Sequence, residues 1–112
     1  MDAGTANANN RRNHRRVPFS VLFNKVEQGI ATVCQGIDLS PHAIAFEPIG
    51  GPLRQGDAPV ILEFQLPTSP EVLLAQGKAV RQEGRRLCIA FTQISRRHQA
   101  MIEGFIGATQ PA

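Results

Sequence analysis

Apolar and polar residues alternate along most of this chain with a period of two. Val17, Phe19, Val21 and Phe23 alternate with Pro18, Ser20 and Asn24, the signature of a strand with one buried face. Pro18 cannot donate to a β-ladder, which puts it at a strand start or an edge. Glu27-Gln28-Gly29 signals a turn, Ile30 to Ile37 reads as a β-branched second strand, and Ala43 to Phe46 reads as a third. Pro48-Ile49-Gly50-Gly51-Pro52 interrupts regular structure, with a short helical turn expected around Leu53 to Asp57. Val60, Leu62, Phe64 and Leu66 mark a fourth strand. After Pro67 to Pro70 comes a long fifth strand, Val72 to Gln82, in which Gly77 signals a bend, a bulge or close backbone approach. A tight turn at Glu83-Gly84-Arg85 leads to a sixth strand on Leu87, Ile89 and Phe91.

The period then changes. Ser95 is a helix cap, and Met101, Ile102, Phe105 and Ile106 recur at helical spacing, with Gly107 as the expected stop. Six short strands followed by one helix predict a mainly β fold: a small six-stranded antiparallel barrel with a C-terminal helix packed on it. The 112 residues suit one domain. The expected organisation is a disordered tail over 1–10 and a domain over 11–107. Within the domain are an arginine arm (11–16) and the helix (95–106); a short tail over 108–112 follows.

Charge is distributed unevenly. Arg11, Arg12, Arg15 and Arg16 fall within six positions and carry +4, more than the whole net charge of +3. A duplex-binding surface needs a longer basic stripe, whereas a compact, doubly charged anion needs only such a cluster. Cys34 and Cys88 do not form a Cys-x-x-Cys pair and read as free thiols within the sheet. His14, His42 and His98 are dispersed and read as surface or loop residues. No nucleophile–base arrangement, metal-ligand spacing or glycine-rich phosphate loop is visible, so neither an enzyme nor a cofactor is expected. The first ten residues lack a secretory pattern and no apolar run reaches membrane length, giving a cytoplasmic expectation.

What remains is the arginine segment, ending Arg16-Val17-Pro18, and the polar turn Asp38-Leu39-Ser40-Pro41-His42-Ala43. An Arg-x-x-x-Arg before a β-domain, followed by Asp-x-Ser and a small residue, resembles the PilZ domain, and the likeness extends from Arg11 to Ile106. The resemblance implies a β-barrel that binds cyclic di-GMP. Arg12 and Arg16 take the phosphate and guanine contacts, Asp38 and Ser40 take the guanine edges, and Arg11 takes the position linked to binding an intercalated ligand dimer. The chemistry suits that ligand, because guanidinium pairs bidentately with phosphate oxygens or with guanine O6 and N7. The frame Arg11/Arg15 is also spaced by four; the residues after Arg16 favour Arg12/Arg16. Ala43 stands where the family's turn ends in glycine. It carries a second reading, a PilZ-like adaptor without nucleotide that acts by protein contact in motility or pilus systems. In the first reading the arm orders on the ligand and signals to a protein partner.

Overall fold

The computed structural model describes residues 15–50 and 58–109. The arm positions Arg11 and Arg12, both tail expectations and the helical turn expected at 53–57 therefore lie outside the described residues, apart from 108 and 109. The elements are β1 (Val17–Pro18), β2 (Leu22–Glu27), β3 (Ile30–Leu39), β4 (Ala43–Pro48), β5 (Val60–Gln65), β6 (Val72–Glu83), β7 (Arg86–Ile94) and α1 (Arg96–Thr109). The strands run β1-β3-β2-β5-β6-β7-β4, all antiparallel. A further pairing of β3 with β4 closes six of them into a barrel.

The strand expected over 17–24 is broken into β1 and β2. Both pair with β3, Val17 opposite Leu39 and Phe23 opposite Cys34. Between them the backbone folds inward at Phe19, whose amide donates to the Ile37 carbonyl at 3.0 Å. Gly36 makes this possible: a methyl there would run into the Phe19 carbonyl and ring. Pro18 sits on β1, the terminal strand of the order, where its missing N–H leaves no gap in the ladder. Gln28 and Gly29 both have positive φ, 51° and 78°, giving the twisted two-residue hairpin that joins β2 to β3.

The core is built on phenylalanine. Phe19 meets Phe64 and Phe105 edge-on at 5.7 and 6.3 Å, and Phe23 meets Phe46 and Phe64 at 5.2 and 6.1 Å. Such pairs each contribute about 0.5–1.5 kcal/mol beyond area burial. Ile102, Phe105 and Ile106 bring the apolar stripe of α1 onto this cluster. Ser95 caps the helix by accepting the His98 N–H at 3.1 Å. The helix does not stop at Gly107 as expected but continues to Thr109, since Gly107 keeps a helical backbone outside the left-handed region.

Two inward positions carry charge. Lys25 and Glu27 share the phase of Phe23 and pair at 3.2 Å while nearly wholly buried. At the other end, β7 finishes before the start of β6, so the Leu74 N–H donates instead to His98 Nδ1 at 3.3 Å. That bond leaves the other ring nitrogen to face Glu71 at 3.2 Å, while Arg97 grips the same carboxylate through two bonds of 2.6 and 3.0 Å. His98 is thus a joint between helix and barrel, rather than the surface or loop histidine expected.

Gly77 sits beside a bulge, and an added methyl would lie 2.5 Å from the Ala90 carbonyl oxygen. Gly77→Ala should cost roughly 1–3 kcal/mol in denaturant unfolding. Gly104→Ala, on open helix surface, should instead gain up to about 1 kcal/mol. Glu71 is held down at about 2, chiefly by the Arg97 hydrogen bonds, from an ordinary 4.5. Its contribution to stability is complete above pH 4.5 and is lost as pH falls toward 2. Acid titration of unfolding should therefore show a shallower slope in that window for Glu71→Gln than for the wild type.

Candidate functional site

Strand register decides which side chains meet outside the barrel. One row runs Leu39–Ile44–Ile89–Ala79 across β3, β4, β7 and β6, and its first three members point into the core. The adjacent row, Asp38–Ala45–Cys88–Arg81, must point outward. A bulge between Gly36 and Asp38 sets this phase. Asp38 is therefore a strand residue: β3 runs through it to Leu39, past the Ile37 end expected from the sequence.

A groove of about 140 Å³ lies over this row, lined by Arg16, Asp38, Ala45, Arg81, Glu83, Arg86 and Cys88. Its floor is made of small side chains, with Ala43 and Ala90 continuing the outward phase alongside Ala45 and Cys88. Its walls are charged. Arg16 Nη1 lies 3.5 Å from Asp38 Oδ1, Arg81 pairs with Glu83 at 2.7 Å, and Arg86 approaches Glu47 at 4.0 Å. All three pairs are substantially exposed, so each contributes little to stability and exchanges partners readily.

The arginine frame separates here. Arg16 enters the Asp38 groove, whereas Arg15 lines a different groove, of about 230 Å³, with Pro41, His42, Glu103, Ile106 and Gly107. Side chains alternate in an extended segment, so neighbouring arginines diverge.

Ser40 is 5% exposed and its hydroxyl is engaged within the turn. It accepts the Ala43 and His42 N–H groups at 3.1 and 3.4 Å and lies 3.3 Å from the Ala43 carbonyl. Ser40 shapes the turn beyond Asp38; a guanine bond from it would have to replace one of these. Phe91 N–H donates to the His42 carbonyl at 2.8 Å, and Gln99 Nε2 to the Pro41 carbonyl at 2.8 Å, fixing the turn to β7 and to α1. Ala43 opens β4 with its φ outside the left-handed region. Its methyl carries no backbone strain, and the turn forms without a glycine there.

Arg81, Arg86 and Glu83 belong to no binding motif in the sequence, and Cys88 reads there only as a free thiol of the sheet. Their only sequence signal is phase: each falls on the outward position of a hairpin whose partner strand carries Ala45 and, through β3, Asp38.

The family model for the PilZ domain matches residues 10–108. The chain belongs to the PilZ family. Among solved structures, the PilZ domain of CeSA from a cellulose-synthesizing bacterium superposes with a TM-score of 0.65 at 18% identity, covering 84% of this chain and 96% of that one. Borreliella burgdorferi PlzA in complex with c-di-GMP gives 0.63 at 15% identity, covering 92% of this chain and 45% of PlzA. The Bacillus subtilis inhibitor of motility MotI/DgrA gives 0.64 at 14% identity, covering 88% of this chain and 50% of MotI. This PilZ chain thus spans about half the length of the latter two proteins, and at these identities the likeness is one of fold. No curated protein matches the sequence.

The two thiols of this PilZ domain are free and unequal. Cys34 is buried, and burial pushes its thiol up to about 11, whereas Cys88 is half-buried on the groove floor. Native protein at pH 8 should take up one equivalent of a thiol reagent, at Cys88, with the second reacting only after unfolding; peptide mapping checks the assignment.

Proposed function

We propose that this PilZ domain is a cyclic di-GMP receptor and that the nucleotide occupies the Arg16–Asp38 groove. The observation that carries the reading is the 3.5 Å pairing of Arg16 with Asp38 in a groove shared with Arg81 and Arg86. Three guanidiniums around one concavity match a ligand with two phosphates and two guanines. The carboxylate of Asp38 accepts from a guanine N–H edge. The Ala45 and Cys88 floor leaves room for a flat base over the strands.

Arg12 would join Arg16 from the arm, and Arg11, just before the motif, would contact a second, stacked nucleotide. Family membership supports this reading, as does the fold shared with PlzA, whose structure is a c-di-GMP complex. Ala43, the basis of the nucleotide-free adaptor reading, has an unstrained backbone, which removes backbone strain as a ground for it. Ordering of the arm on the ligand would then be what a protein partner reads, since a ligand shifts an equilibrium only through differential affinity for two states. Control of motility is one such output.

Calorimetric titration of cyclic di-GMP tests the assignment. Saturable binding is expected, weakened about 10- to 100-fold by Asp38→Ala and abolished by Arg12→Ala/Arg16→Ala, the range expected for charge-assisted hydrogen bonds. Wild-type protein that gives no heat would overturn the receptor reading; binding that survives in the double variant would place the nucleotide elsewhere. Glu83 competes with phosphate for Arg81 at 2.7 Å. Glu83→Gln should therefore tighten binding a few-fold at low salt, and Arg81→Ala should weaken it.

A further inference from the structure

The barrel wall away from this groove is unusually apolar. Leu22, Val33, Ile61, Val72 and Leu74 are all between 44% and 60% exposed and occupy outward positions on β2, β3, β5 and β6. Isolated exposed apolar residues are ordinary, but a contiguous set of this kind marks an interaction surface. The wall is also not continuous. β2 and β5 are hydrogen-bonded only where Asn24, Lys25 and Val26 face Glu63, Leu62 and Ile61. Beyond Asn24 and Glu63 the strands part, opening a groove of about 210 Å³ between Leu22 and Val72, with Phe23 and Phe64 also lining it.

At the closed end of that groove stands one charge. Glu63 lies opposite Asn24 on one side and Leu74 on the other. Among the described residues it forms no ion pair. It is also the only charged residue on the outward positions of 22–26, 31–35, 61–65 and 72–76. A covered carboxylate without a counter-ion is strongly unfavourable, so whatever seats on this wall must bring a cation to that point. A second copy related by a two-fold axis at Glu63 would set carboxylate against carboxylate, which disfavours that arrangement.

We infer that the β2–β5 wall is a docking surface for a different protein, through a segment that places an apolar side chain in the opened seam and a lysine or arginine against Glu63. None of these residues lines the Arg16–Asp38 groove, so the inference stands apart from the nucleotide reading.

The test is selection of a random peptide library displayed on phage against the full chain, followed by NMR mapping of the enriched peptides. The expected result is peptides carrying Lys or Arg beside apolar residues, shifting the amides of Leu22, Glu63, Val72 and Leu74. Binding should fall about tenfold or more in Glu63→Lys and less in Glu63→Gln, with both variants melting as the wild type does. An Arg16→Ala variant should bind the peptides unchanged, which separates this outcome from any failure of nucleotide binding. The proposal is overturned if no peptide is enriched, if the peptides lack a cation, or if they map to another face. Concentration-dependent dimerisation through this wall would also overturn it, by making a second copy the occupant.

Discussion

Phe19 packed over Gly36 is the contact from which the rest of this fold follows. The missing side chain at 36 lets the backbone of the first strand drop onto β3, and the ring then enters between Phe64 and Phe105. The inward step breaks one long strand into β1 and β2, so that Arg16 leaves the barrel beside Asp38. It also gives the apolar stripe of α1 an aromatic surface to cover. A methyl group at one position would thus disturb a strand break, a helix dock and the entry of the arm together.

The Arg16–Asp38 groove has little net field of its own. Arg16, Arg81 and Arg86 each have a carboxylate close by, in Asp38, Glu83 and Glu47. A simple anion gains little there, because every guanidinium it reaches is partly neutralised. A ligand offering phosphate oxygens to the arginines and N–H donors to a carboxylate satisfies both halves of these pairs. Selectivity in such a groove comes from matching alternating charge rather than from attraction by an excess of one sign.

Period two along the strands and the apolar stripe of the helix were legible because each reflects burial against a single core, and burial is what period reports. The Ser95 cap and the close approach at Gly77 were legible for a similar reason: each rests on local stereochemistry. What the pattern hid was governed by contacts distant in sequence. The break at Phe19 depends on Gly36, and the roles of Arg81 and Arg86 depend on the β4–β7 register. Glu27 reads as part of a turn and Lys25 gives no signal in the pattern, but each is the other's counter-ion inside the barrel. His98 reads as a dispersed histidine until the early end of β7 leaves the Leu74 amide needing an acceptor. Of the motif residues, Asp38 and Arg16 stand 3.5 Å apart, whereas the Ser40 hydroxyl is engaged within its own turn.

The rigidity of the Phe19 anchor has a mechanical consequence. Only Val17 and Pro18 separate Arg16 from a ring that is 1% exposed and held between two others. A pull on the arm meets a fixed point almost at once, and a close-packed aromatic cluster deforms little. A displacement at Arg16 is therefore resisted at the rim instead of being passed through the aromatic core. In mechanical terms the segment entering at Arg16 is joined to a solid block rather than to a lever.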